Sequence, residues 1–137
     1  MKPSALVTHE ECLQHLTPPG HPEQVARLEY NLEALKDVNL LRVGAPMAAD
    51  DDILRIHPRE HINYLQDSVP ENGFKSLDGD THISSGSLTA AYRAAGGVLR
   101  AVDLVLSSEA KNAFVAVRPP GHHAEKDKAM GFCIYNN

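Results

Sequence analysis

The sequence predicts an α/β fold built on a parallel sheet, and three observations carry that reading. The run Ala113-Phe114-Val115-Ala116-Val117 is apolar at every position, the signature of a central parallel strand covered by helices on both faces. Residues 23–37 place Val25, Leu28, Leu32 and Leu35 at three- and four-residue steps, which makes one helical stripe. A longer stretch ending at Leu106 does the same. With 137 residues, one domain is the ceiling.

Taken in order, Ser4 to Thr8 is short, apolar and compatible with a strand. The turn formers Thr17-Pro18-Pro19-Gly20 then mark a loop. Pro22 suits the start of the helix over 23–37. Leu40 to Val43 is a second strand, and Asp50-Asp51-Asp52 suit the positive end of a helix dipole ahead of Ile53, Leu54 and Ile56. That helix is short, because Pro58 pushes His57 out of helical geometry. Pro58 opens the next helix, which buries Ile62 and Leu65. Residues 68–86, punctuated by Pro70, Gly73, Gly79 and Gly86, read as loop. From Ser84 or Ser87, the positions Leu88, Ala91, Tyr92, Ala95, Val98, Leu99, Val102, Val105 and Leu106 trace the longest helix, where Gly96-Gly97 allow close packing.

Composition removes several functions. Eighteen acidic against thirteen basic residues give a net charge of −5, and no basic stripe is present to neutralise nucleic-acid phosphates. No apolar run approaches the roughly 20 residues of a membrane span, and the first residues lack an apolar signal core. A cytoplasmic protein is expected. Cys12 and Cys133 have no C-x-x-C spacing, so neither a disulfide framework nor a cysteine-rich metal site is indicated.

Eight histidines outnumber the aromatics, three Phe and four Tyr, so imidazole chemistry is the place to look. His57 and His61 have i, i+4 spacing, but Pro58 interrupts the helix and no H-E-x-x-H pattern is present. A metal pair there is disfavoured. His9, His15 and His21 lie in a loop-rich stretch and are expected to be hydrogen-bonded or exposed. His122 and His123 differ, because they follow a buried strand and two prolines restrict the backbone before them. Rigid placement is what a general base needs.

The stretch Val117-Arg118-Pro119-Pro120-Gly121-His122-His123-Ala124, followed by Gly131-Phe132-Cys133-Ile134-Tyr135-Asn136-Asn137, closely resembles the signature of the zinc-dependent histone deacetylase family. The likeness is nearest to its class II and bacterial amidohydrolase members, with acetylpolyamine amidohydrolases as relatives. Weaker likenesses run through most of the chain. His15 with His21-Pro22-Glu23 and Arg27 resembles the family's H…H-P-E-x-P-x-R element, lacking its second proline. Leu54 to His57 with His61 and Tyr64-Leu65 resembles a helical segment, and Asp78-Gly79-Asp80-Thr81 a loop before the next helix.

The resemblance implies an arginase/deacetylase-type fold with a central parallel sheet flanked by helices. It implies that residues 1–137 are the amino-terminal part of one deacetylase domain continuing beyond Asn137. By the same resemblance His123 is the general base and His122 its electrostatic or proton-handling partner. Gly131 offers a carbonyl to the acyl-lysine nitrogen, Phe132 walls the substrate channel, Cys133 lies near the acyl group and Arg27 lines an internal cavity. Zinc is the implied cofactor, held by an Asp-x-His pair and a later Asp beyond Asn137, and the implied partners are an acylated lysine or acylpolyamine substrate and the remainder of the domain. The alternatives are a truncated, inactive paralogue acting as an interaction module and a manganese ureohydrolase. The second is disfavoured, because the tandem histidines and Gly131-Phe132-Cys133 are not its pattern.

Overall fold

A computed structural model describes residues 1–137. Strand β1 (Ser4–Thr8) leads through a 3-10 turn at Glu10–Gln14 to helix α1 (Val25–Leu35) and strand β2 (Leu41–Gly44). Helices α2 (Asp50–Ile53) and α3 (Arg59–Ser68) follow, then a small hairpin of β3 (Lys75–Ser76) and β4 (His82–Ile83). Helix α4 (Ser87–Leu106) and strand β5 (Asn112–Val115) complete the order. No helix is long and apolar enough to cross a membrane.

The main sheet is parallel, in the order β2-β1-β5. Side chains of a strand alternate between faces, and β1 uses both. Ala5 and Val7 pack with Ala101 and Leu104 of α4, whereas Leu6 packs with Leu28 of α1, Cys12 and Ala116. Helices therefore cover β1 front and back, which is why its three central residues are apolar and buried on both faces. A separate cluster joins Ile53, Ile62 and Leu65 to Tyr92, Ala95, Ile134 and Tyr135. It fastens the carboxyl-terminal segment to α2, α3 and α4.

Several expectations are corrected. Among these residues β1 pairs on both sides and β5 on one; β5 runs Asn112–Val115, shorter than the 113–117 run suggests, and Phe114 is 52% exposed. Helix α1 starts at Val25 instead of residue 23, because Glu23 is turned inward to an ion pair. The 68–86 segment holds the β3–β4 hairpin, closed by Asp78, whose Oδ1 accepts from the Asp80 and Thr81 amides.

That ion pair ties the two ends of the chain together. Arg118 is 1% exposed and Glu23 2% exposed. Arg118 Nε and Nη2 donate to the two Glu23 carboxylate oxygens at 3.1 and 2.8 Å, a bidentate fork. Nη1 donates to the carbonyls of Cys12 and His15. Arg27 Nη1 also reaches Glu23 Oε1 at 3.0 Å. His15 Nε2 lies 3.7 Å from Glu23 Oε2, yet burial, reinforced by the Arg118 charge, pushes the His15 pKa down to about 3. The ring is therefore neutral, and its Nδ1 pairs with Ser87 Oγ at 2.6 Å.

Two predictions follow from this packing. At residue 96 an added Cβ would lie 2.0 Å from the Pro46 carbonyl oxygen and 2.8 Å from Ala48 N, where Ala48 N donates to Tyr92 O at 3.0 Å. Gly96→Ala should therefore cost about 1–3 kcal/mol or more in urea unfolding, and an unchanged midpoint would remove the close approach as a constraint. The second concerns pH. The His15 pKa is lower folded than unfolded, so below pH 6.5 the unfolded chain binds the extra proton and stability falls with pH until about 3. Comparison of His15→Gln with the parent between pH 7 and 5 should give a profile flatter by up to ~1.4 kcal/mol per pH unit; parallel profiles would show that His15 is not buried neutral.

Candidate active site

Beyond β5 the backbone passes Ala116 and Val117 to Arg118, whose four hydrogen bonds fix where the next turn begins. Pro119 and Pro120 restrict φ, and Ala124 N closes a turn on Gly121 O at 3.0 Å. His122 and His123 project from this turn, at the carboxyl end of a parallel strand, where α/β folds place their ligands. Both are exposed, and their ring centroids lie 4.3 Å apart with the planes tilted by 52°.

A second tight turn faces them. Cys133 N donates to Met130 O at 2.9 Å, and the two residues between, Gly131 and Phe132, have φ of 58° and 70°, both in the left-handed region as type I′ turns require. Glycine is needed at 131 on a second count, since a Cβ there would approach His123 Cβ to 2.7 Å. Phe132 has no such exemption. Its left-handed conformation costs about 1–2 kcal/mol and is held by its N–H, which donates to Thr81 Oγ1 at 3.0 Å. The Phe132 ring meets the edge of His21 at 4.8 Å. His21 in turn accepts from Glu23 N at Nδ1 (3.0 Å), so its proton is on Nε2 and goes to Asp80 O at 2.7 Å.

The two turns border one open cleft of about 550 Å³, completed by Pro22, Glu23, Arg27, Asp80 and Pro120. It brings together His122, His123, Gly131, Phe132 and Arg27. Cys133 lies buried behind it: the His123 amide donates to Sγ at 3.4 Å, and the thiol donates to Gly131 O at 3.3 Å. Burial pushes its thiol pKa up against the His123 and Ala124 amides, so it stays protonated. Arg27 borders the same cleft, with its side chain 57% exposed among these residues and bonded to buried Glu23. Glu23, Asp80 and Thr81 were not assigned roles from sequence, although the H-P-E and Asp78-Gly79-Asp80-Thr81 segments carried the signal. A hollow of about 580 Å³ at the other end of the sheet, between Leu35, Leu40 and Phe114, has no titratable lining.

Metal ligation needs three or four donors that converge, and no three His, Cys, Asp or Glu side chains do so here. The residues of this chain do not by themselves form a zinc site. The cleft sets two exposed, adjacent imidazoles beside the Phe132 ring.

The histone deacetylase domain model matches residues 21–137. A probable deacetylase of Archaeoglobus fulgidus is 37% identical over 140 residues, covering 98% of this chain and 38% of the relative. A histone deacetylase-like amidohydrolase of Pseudomonas aeruginosa is 39% identical over 123 residues, covering 86% and 32%. The crystal structure of the HDA15 HD domain superposes on the whole of this chain with a TM-score of 0.90 at 28% identity, while the chain covers 41% of it. The chain thus spans roughly two fifths or less of the length of these proteins. With a family match that reaches from the Glu23 loop through both turns of the cleft, the chain belongs to the histone deacetylase domain family.

Proposed function

We propose that residues 1–137 supply the proton-handling and channel-wall part of a zinc-dependent deacetylase that removes acyl groups from acylated lysine or polyamine amines. One observation carries this reading: His122 and His123 share a cleft with Phe132, and they are the two histidines whose ring nitrogens no protein group engages.

Amide hydrolysis needs a base to take a proton from the attacking water and an acid to protonate the departing amine. Imidazole can do both near neutral pH. His123, backed by Gly131 and with its amide on Cys133 Sγ, is the base in this proposal. His122, ring to ring with it, steadies or shares the proton. Phe132 packs along the aliphatic chain and keeps water from its sides, and the Gly131 carbonyl accepts from the amide nitrogen. The metal is held by parts of the domain outside these residues.

In the full-length protein, His123→Ala should lower turnover on an acetyl-lysine substrate by roughly two to four orders of magnitude and leave the zinc content unchanged. Loss of zinc in proportion to activity would overturn the assigned role, and a parent protein inert toward every acyl-amine would favour an interaction module. Phe132→Ala should impair hydrolysis of long aliphatic acylamides more than it lowers the melting temperature. The reverse pattern, a large drop in melting temperature with normal kinetics for the folded fraction, makes Phe132 a packing residue only.

A further inference from the structure

The turn that carries Gly131 and Phe132 sits at the tip of a loop from Lys126 to Asn136, and this loop has few bonds of its own. Its tip is closed by the Met130–Cys133 turn and the Cys133 thiol on Gly131 O, and at its base Glu125 meets Lys128. Yet Phe132 at its tip holds a φ of 70°, which a non-glycine residue keeps only where the surroundings fix it. Thr81 supplies one support, and the corner between α2 and α3 grips the ends of the loop.

His57 occupies this corner, 1% exposed, where Pro58 ends the α2 turn. Its Nδ1 lies 2.8 Å from Lys126 O, and its Nε2 lies 2.9 Å from Asn136 N. A backbone N–H can only donate, so Nε2 carries the lone pair, Nδ1 carries the proton, and that proton goes to Lys126 O. A single neutral imidazole thus bridges both ends of the loop. His61 lies stacked on it, centroids 4.5 Å apart and planes within 26°, and donates from Nε2 to Ile134 O at 3.2 Å. Tyr135 packs against both rings, and Asn136 Nδ2 donates to Ala124 O at 2.9 Å, joining the loop end to the residue after His123.

We propose that His57 is a positioning residue, whose two ring nitrogens clamp the ends of the Lys126–Asn136 loop and so set Gly131 and Phe132 against His123. The i, i+4 histidines that resemble a metal pair in sequence grip backbone instead. An apolar residue would fill the corner without the cost of burying a polar ring, and no other side-chain type offers a donor and an acceptor on opposite edges of a flat ring of this size. The catalytic part of this inference rests on the deacetylase reading; the clamp itself does not.

The test uses the full-length protein with two variants. His57→Phe keeps the volume and the stack on His61 but loses both hydrogen bonds; His57→Gln offers an amide oxygen to the Asn136 amide. In the parent, nitrogen NMR of the ring should show Nδ1 protonated and Nε2 bare. In His57→Phe, hydrogen exchange at the Phe132, Cys133 and Asn136 amides should quicken roughly ten- to hundredfold while β1 and α4 amides keep their rates. The kcat/KM for acetyl-lysine should fall roughly tenfold, mostly in KM, and His57→Gln should move both quantities back toward the parent. A parent ring protonated at Nε2, loop exchange unchanged in His57→Phe, or acceleration spread equally over β1 and α4 would each overturn the clamp. If His57→Phe does not fold, the parent ring and the His57→Gln exchange rates still decide it. A parent without deacetylase activity removes the deacetylase reading and leaves the ring and exchange measurements to judge the clamp alone.

Discussion

The buried Arg118–Glu23 pair is the contact on which the geometry of the cleft depends. Arg118 immediately precedes the prolines and histidines of one wall, and Glu23 immediately precedes the helix that carries Arg27 on another. Both charges are almost wholly withdrawn from water, which is costly unless every partner is supplied. Here they are: the carboxylate receives a two-pronged guanidinium, a second arginine and a neutral imidazole at its side, and Arg118 spends its remaining donors on two loop carbonyls. Such a pair adds little net stability over an apolar substitute. Its contribution is orientation, because a planar fork meets a carboxylate in one plane and so fixes the direction in which the chain leaves β5.

From that fixed point the site is assembled by backbone contacts more than by side-chain contacts. The Phe132 amide rests on Thr81, the His123 amide on Cys133, and the Asn136 amide on His57. The His123–Cys133 bond joins the two turns to each other, and the other two tie the Lys126–Asn136 loop to the β3–β4 hairpin and to the α2–α3 corner. Phe132, with its φ of 70°, lies in a short segment bonded to the hairpin loop before α4, to the histidine turn and to the α2–α3 corner.

Much of this was legible in the sequence, and what was not has physical causes. The helical stripe of α4 and the proline-limited length of α2 follow from periodicity and from the geometry of the residue before proline. The extent of β5 did not: the 113–117 run is apolar at every position, yet the strand ends at Val115, and pairing along a sheet is a long-range property. The β3–β4 hairpin was hidden because its strands are two residues each, too short for an alternating pattern to register. Glu23 read as part of a helix start and proved to be a buried counter-ion, a distinction that depends on Arg118 far along the chain. The motif around His122 and His123 named the cleft, but nothing local to it revealed that Phe132 is left-handed or that His57 holds the loop beneath it.

The histidines show how one side-chain type is divided between structure and chemistry. His15, His57 and His61 are buried, and for His15 and His61 burial lowers the pKa. At His15, Nδ1 is held by the Ser87 hydroxyl, and at His21 and His57 both ring nitrogens are committed to backbone groups. A ring so committed cannot accept a proton without breaking a bond that the fold uses, so it is a poor base however close it lies to the cleft. His122 and His123 meet the opposite condition. Their backbone is fixed by Arg118, two prolines and the crowding of Gly131, while their rings face solvent with both nitrogens uncommitted. Rigid attachment combined with free ring atoms is the requirement for a proton carrier, and in this fold the committed imidazoles help to provide it for the free ones.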